Sequence, residues 1–558
     1  MIVNEKKKSP VFHHMMDFWN IITIISLIIL TITLLYPFSS LILKSFIDKT
    51  GESFTVKNYI NFFKLPYYFS TLKHSLVVCL LSTFFATLVG LPMAYISTRF
   101  NIYGKKILNL MVILSLMSPP FIGAYAWILM LGRNGFLTRA LESIGLRVPP
   151  IYGLKGIVLV FTLKFFPYIY LYVSGALQSI DSSLEEAAEN LGVSGFKKIM
   201  TVTFPLILPT ISAGALMVFM TSLADFGTPM LIGEGYKVLP VLVYEEFMSE
   251  IGGNVSMAST LSVIIVLCSL TVLFIQKKII AKKNYTMSAL RPPKVKELTL
   301  GKRILATVFC FLVALIAMSQ QIVVIVTSFL KTSGPLFLKE FSLESYRLVR
   351  HRLSHNISNT FAFSTIAIII MIIAGMLLSY VIVRKRTKIT GILDMLIMFP
   401  YVIPGAVLGI TLLVAFNQGP IILSGTAVIM ILSYVIRKLP YTIRSSTAIL
   451  YQIDPSIEEA SINLGVSPMK TFFKTTARLM APGIFSGATL SWITTINELS
   501  SSIILYTGRT ATISVAIYTE VIRASFGTAA ALASILTLTT VISILIFNKI
   551  SGSQGVSL

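Results

Sequence analysis

The chain has 558 residues, of which 55% are hydrophobic and only 12% charged, with a mean hydropathy of +0.83. So little polar surface excludes a soluble protein of this length and leaves a polytopic membrane protein. The net charge of +23 would suit a nucleic-acid binder, but the basic residues gather at the ends of apolar segments, where membrane topology places them, so nucleic acid is not expected as a partner.

A hydrocarbon core about 30 Å thick takes roughly 20 apolar residues per helix, and twelve segments of that kind are predicted. In the first half they lie near 19–43, 75–98, 107–132, 154–178, 205–224 and 257–276, and in the second near 304–330, 361–383, 391–416, 421–443, 480–497 and 527–548. Lys164 and Arg437-Lys438 interrupt the fourth and tenth. The first segment is longer than a signal-peptide core and no small-residue cleavage pattern follows it, so it reads as a retained helix. Lys6, Lys7 and Lys8 precede it, Arg99, Lys105 and Lys106 fall between the second and third segments, and Arg384, Lys385, Arg386 and Lys388 follow the eighth. With twelve spans these loops share one side, which the positive-inside bias makes the cytoplasm, with both termini there. The opposite side carries Glu234, Glu245, Glu246 and Glu250. Cys79, Cys268 and Cys310 sit far apart inside apolar segments and read as small buried hydrophobes, with no disulfide framework or metal cluster.

One stretch occurs twice, 273 residues apart. Ile180-Asp181 recurs as Ile453-Asp454, Glu185, Glu186 and Ala187 as Glu458, Glu459 and Ala460, and Asn190 to Ser194 as Asn463 to Ser467. The register extends to Pro167-Tyr168 and Pro440-Tyr441, Lys197 and Lys470, Pro209 and Pro482, and Gly214-Ala215 and Gly487-Ala488. Two units follow: residues 1–276 with a loop near 181–209, and residues 304–558 with a loop near 454–482. Between them, 277–303 is a basic cytoplasmic linker containing Arg291-Pro292-Pro293, through which no helix continues. Six spans separate equivalent points, so the repeat is parallel, about an axis along the membrane normal. Each loop reads as a short helix, a turn and a second short helix. Ser183 with Glu186, and Ser456 with Glu459, are spaced as capping boxes, Gly192 and Gly465 are helix stops, and Ala and Leu occupy one side with carboxylates on the other.

Glu186-Ala187-Ala188, Gly192, then Val202, Phe204 and Pro205 resemble the cytoplasmic EAA loop of binding-protein-dependent ABC importer permeases. The second copy has Glu459-Ala460-Ser461, Gly465 and Pro482-Gly483-Ile484, but Ala477-Arg478 where that family continues with Leu-Pro. The resemblance implies an all-α polytopic fold of two tandem six-helix permease units, about twelve transmembrane helices, in a bacterial inner membrane. It implies docking of two copies of an ABC ATPase through Glu185, Glu186, Ala187 and Gly192 and through Glu458, Glu459, Ala460 and Gly465, and delivery by an extracytoplasmic substrate-binding protein. ATP and Mg belong to the ATPase: this chain has no phosphate-binding loop, and Gly465 to Thr471 lacks the glycine that would precede Lys470, so no catalytic residue is expected here.

Lys164 and Arg437 are equivalent in the two halves, as are Asp225 and Glu498. Charges within spans are costly and tend to mark pathways, so the four are candidates for the substrate path. Each alone reads first as satisfied by neighbouring helices or as a helix cap; the symmetry singles them out. Leu223-Ala224-Asp225-Phe226-Gly227-Thr228-Pro229 and Ile496-Asn497-Glu498-Leu499-Ser500 look like the matching segments of fused ferric-iron importer permeases, within a group that also includes thiamine, aminoethylphosphonate and polyamine carriers. His351 and His355, flanked by Arg350 and Arg352, read as a solvated loop and not as metal ligands. Two other classes stay open: a gradient-driven secondary transporter, which would need ion ligands in broken helices, and a membrane scaffold, which would tolerate loss of the four charges.

Overall fold

A computed structural model describes residues 18–550, apart from 52, 117, 118, 120, 148, 250–252, 282–294, 335, 419 and 420. Lys6 to Lys8, Glu250 and Arg291-Pro292-Pro293 therefore lie outside the described residues. Almost everything described is helical; the hairpin Leu330–Ser333 with Leu336–Phe341 is the one named sheet among the described residues. The protein is an all-α polytopic membrane protein, with nine helices among the described residues long and apolar enough to cross a bilayer.

Three of the twelve expected spans depart from a straight apolar helix. The ninth is a pair, Lys388–Val402 and Gly405–Phe416, bent by 112°. Pro404 has no N–H to continue the ladder, and Gly405 has no Cβ where the Arg437 guanidinium lies, so the bend and that cation occupy the same place. The third expected span is divided between Lys105–Leu116 and Ile122–Leu131, with Pro119 between them. The tenth, Ala427–Gln452, is a continuous helix but carries Arg437, Lys438 and Arg444, which it affords by sitting among other helices with partners for each charge.

Within each half the contacts repeat. Pro66–Arg99 packs on Leu154–Ser179 and Phe204–Ala224; Ser354–Arg384 packs on Ala427–Gln452 and Ala477–Ile496. The first helix of each half is exchanged. Phe18–Ser45 crosses to the second half, where Trp19 packs 4.2 Å from Tyr380 and 4.8 Å from Phe472, and Phe38 5.0 Å from Phe399. Leu300–Ser328 crosses the other way onto Lys105–Leu116, with Gln321 Nε2 donating to the Leu114 carbonyl at 2.6 Å. Lipid offers no hydrophobic drive between helices, so these packed rings and the buried amide bond hold the halves together. Ile21, Ile24, Ile25, Ile28 and Ile29 of Phe18–Ser45 are left exposed and face lipid.

Candidate functional site

The repeated loops fold alike, element by element. Ser182–Asn190 is followed by Gly195–Lys198, and Ser456–Asn463 by Pro468–Thr471. The caps differ from the expected boxes. Asp181 caps the first helix by accepting from the Ser183 N–H at 2.9 Å, and Asp454 accepts from Ser456 at the same distance. Asp181 stands one residue before its helix and Asp454 two, and each reaches a free N–H group first, so Ser183 lies inside the first helix and Ser456 begins the second. That backbone bond from Ser456 holds the Asp454 carboxyl below the usual carboxylate range. Gly192 and Gly465 terminate the helices at φ +77° and +85°, with Val193 N–H closing back onto the Ala188 carbonyl at 2.9 Å, a Schellman stop.

The two faces of the loop helices are also not as expected. Glu185 turns toward the membrane helices, where its Oε1 accepts from Arg99 Nη2 at 2.7 Å and from Thr203 Oγ1 at 3.3 Å. Glu458 does the same with Arg384 Nε at 3.1 Å and the Tyr380 hydroxyl at 2.9 Å. Arg99 and Arg384 are the last residues of their helices, where a cation also meets the negative end of the helix dipole. The outward face carries Glu186 and Ala187, Glu459 and Ala460, and two leucines that were not among the expected docking residues, Leu191 (83% exposed) and Leu464 (84%). Their signal was present: an apolar residue kept in both copies at the tip of a polar loop. The first loop has a further ionic clasp. Lys198 and then Lys296 hold the Glu189 carboxyl below its usual range. Lys296 lies in the linker and makes an isolated backbone bridge to Phe100. The second copy has Ile462 and Thr471 at the places of Glu189 and Lys198, so this clasp has no counterpart there. After each loop comes a π-helical turn, Ile199–Thr203 and Phe472–Thr476, in the same 273-residue register, joining the loop to the next span.

Above the loops a cavity of about 920 Å³ lies between the halves. Its lining runs from Ser179 and Leu206, which flank the first loop, up to Tyr168, Tyr401 and Tyr441 in mid-span, so it opens on the loop side. The opposite side is closed by aromatic rings from both halves. The Tyr244 and Tyr518 hydroxyls meet at 3.1 Å, Phe121 abuts Tyr518 with centroids at 4.7 Å, and Tyr125 stacks on Phe526 at 4.5 Å.

The four charged candidates come together in pairs, one turn beyond Tyr168 and Tyr441. Lys164 Nζ is 2.6 Å from Asp225 Oδ2, and Arg437 bonds Glu498, which also holds Lys438 at 2.9 Å. Both carboxylates cap the following turn as well, Asp225 accepting from the Thr228 N–H at 3.0 Å and Glu498 from the Ser501 N–H at 3.2 Å. None of the four lines the cavity; its one charged lining residue among those described is Arg444. Lys438 and Arg444 were not among the expected residues, because neither has a charged counterpart in the first half to single it out.

The sequence matches the family described as binding-protein-dependent transport system inner membrane component over residues 86–284 and 372–552. The chain belongs to that family. This permease is 28% identical over 530 residues to the ferric transport system permease protein FbpB of Actinobacillus pleuropneumoniae, covering 94% of this chain and 77% of that one. A putative ferric transport system permease protein, FbpB 1 of Haemophilus influenzae, is 28% identical over 86% of this chain and 76% of its own length. A second Haemophilus protein, Fe(3+)-transport system permease protein FbpB 2, is 26% identical over 85% and 88%.

Two expected results follow from the permease geometry. Gly192→Asp with Gly465→Asp places a Cβ in open space, so the cost to the fold is the left-handed backbone, about 1–2 kcal/mol each before the tolerance of aspartate for that region. The chain should insert normally while ATPase recovery in co-purification falls to background; normal recovery with both changes would refute docking at these turns. Tyr244→Phe removes one inter-half hydrogen bond, about 0.5–1.5 kcal/mol. Spin or fluorescence labels across the outer ends of the two halves should then report a larger open population, and an unchanged distance distribution would show that the hydroxyl pair does not hold the closure.

Proposed function

We propose that this chain is the membrane-spanning subunit of an ATP-driven importer for ferric iron in a bacterial inner membrane, with both termini in the cytoplasm. Two copies of a separate ABC ATPase dock on the loops at Glu186, Ala187 and Gly192 and at Glu459, Ala460 and Gly465, and supply ATP and Mg. A binding protein outside delivers the substrate. The observation that carries this reading is the pair of loop helices, each presenting an exposed leucine outward and anchored inward by Glu185 or Glu458 to an arginine ending a membrane helix. A force on the loop is thereby passed to Pro66–Arg99 and Ser354–Arg384, which pack against the helices that wall the cavity. Closure of the ATPases draws the two loops together, rocks the halves about the interface and parts the aromatic rings on the outer side; release reopens the loop side. The cavity open to the loops and shut at Tyr244 and Tyr518 is one end state of that cycle. Iron is supported by relatives that carry ferric transport names along most of this chain.

The test is to purify the permease under mild detergent, identify what accompanies it, and measure ATP hydrolysis with its binding protein empty or loaded with iron. Recovery of an ATPase whose turnover rises several-fold with the iron-loaded protein is the expected result. An intact permease that moves substrate with no ATPase present would overturn it in favour of a gradient-driven carrier, and stimulation by thiamine, aminoethylphosphonate or a polyamine instead of iron would reassign the cargo.

A further inference from the structure

We propose that the central cavity takes its cargo as an oxyanion-bearing species of neutral or negative charge; for iron, this is a ferric ion still ligated by phosphate or by a carboxylate chelator, and not the bare trivalent cation. The proposal rests on the ferric reading and specifies the form in which the metal passes.

The chemistry of the lining carries it. Among the described residues the cavity wall contains no aspartate or glutamate. It offers neutral hydroxyls from Tyr168, Tyr172, Tyr401, Tyr441, Thr210 and Thr494, and a single charge, Arg444, whose side chain is half exposed. Asp394, which is not part of the wall, takes one Arg444 N–H at 3.1 Å, and Met398 Sδ lies 3.1 Å from Nε, leaving further N–H donors of the guanidinium for a ligand. A hard cation needs several anionic oxygens around it. No group of three or more His, Cys, Asp or Glu side chains placed to hold a metal occurs among the described residues. Nor do the phenols form a cage: the Tyr401 hydroxyl donates to Met217 Sδ at 2.8 Å. Oxyanion oxygens, in contrast, accept from both guanidinium and hydroxyl donors, and the charge-assisted bonds are the stronger ones.

The charged layer above the cavity has the same sign. Lys164, Arg437 and Lys438 face only Asp225 and Glu498, three cations to two carboxylates. Adding Arg444 with Asp394 makes four to three. A bare trivalent ion crossing this route meets surplus positive charge in the upper layer and a wall without carboxylates in the cavity, whereas a metal that keeps its anions meets donors. The volume, about 920 Å³, lies within the range of small-molecule ligand sites, about 300–1,000 Å³, and leaves room for a chelated ion.

The experiment uses the complete transporter in proteoliposomes, loaded with radioactive iron supplied in parallel as its labelled-phosphate and labelled-citrate complexes. Iron and one of the anion labels should accumulate together in a fixed ratio, and which label it is identifies the source of the oxyanion. Arg444→Gln should lower uptake of both by about ten-fold, the loss of one charge-assisted contact, with Arg444→Lys retaining most of it. Iron entering with neither label overturns the proposal, as does iron uptake that is unchanged or raised in Arg444→Gln. Uptake of an oxyanion without iron would support the cavity chemistry while removing the ferric reading; no uptake of iron or of either anion would remove both. Should the arginine variants fail to assemble, the double-label ratio on the unmodified transporter decides alone.

Discussion

Glu498→Ala is expected to abolish accumulation of the permease in the membrane, a larger effect than any other single change considered. Glu498 is 5% exposed and is shared by Arg437 and Lys438, while its Oε1 also holds the Ser501 N–H. Removing the carboxylate leaves two cations inside the helix bundle with no counter-charge, and Lys438 cannot reach water readily from a position 7% exposed. Removing one partner of a buried pair costs about 3–5 kcal/mol, and here two pairs are broken at once. Against a typical stability of about 5–15 kcal/mol that is enough to lose the fold. Asp225→Ala should be milder, because it strands only Lys164, whose side chain is 15% exposed and flexible enough to move toward water. The measurement is the amount of protein in the membrane fraction together with its melting in detergent. Replacing Arg437 and Lys438 by methionine in the Glu498→Ala background should restore part of the lost material, since an apolar cluster of similar volume removes the stranded charges. A Glu498→Ala protein that accumulates and melts like the parent would show that the cluster contributes little to folding.

The separation of Lys164 from Asp225 is the same as that of Arg437 from Glu498, and this much was legible in the sequence, since the repeat copies the spacing. What the spacing does not carry is that the members of each pair meet each other. Whether a cation four residues before a tyrosine points into a pathway or onto the end of the next span depends on how two helices rotate against one another. That is settled by packing. The same limit explains Glu185 and Glu458. The duplicated motif singles both out, but a short helix with carboxylates at adjacent positions offers no periodicity to say which one turns inward; Arg99 and Arg384, distant in sequence, decide it. The glycine stops were readable because Gly192 and Gly465 sit at the one place where a left-handed residue ends a helix. The π-helical turns were not, since they differ from α-helix by one residue in the hydrogen-bond ladder and leave hydropathy unchanged. The third and tenth expected spans depart from a straight apolar helix for opposite reasons: the third is divided between Lys105–Leu116 and Ile122–Leu131, and the tenth accommodates paired charges inside a continuous helix.

Glu185→Ala combined with Glu458→Ala should separate ATP hydrolysis from transport. The outward face of each loop helix, with Leu191 or Leu464 and Glu186 or Glu459, is left as it was, so the ATPase should still co-purify. The inward anchor is lost. Arg99 and Arg384 have side chains 6% and 14% exposed, so each broken pair costs on the order of 1–3 kcal/mol after allowance for the water that reaches the loop edge. The helix then remains docked to the ATPase but slides against the membrane helices instead of moving them. Uptake per ATP hydrolysed should fall by about ten-fold or more, since each 1.4 kcal/mol lost from the link is a factor of ten in the population that moves as one body. The contrast with the glycine variants is the critical point: there the ATPase is lost and hydrolysis is no longer stimulated, here hydrolysis continues and substrate does not follow. Reversing one pair, Arg384→Glu with Glu458→Arg, restores the attraction though not the Tyr380 hydroxyl contact to a carboxylate at 2.9 Å, so coupling should return in part. If the double alanine protein keeps the uptake-to-hydrolysis ratio of the parent, force must enter the membrane helices by another route, and the covalent joins of each loop remain: to Leu154–Ser179 and Ala427–Gln452 before it, and through the π-helical turns at Ile199–Thr203 and Phe472–Thr476 after it.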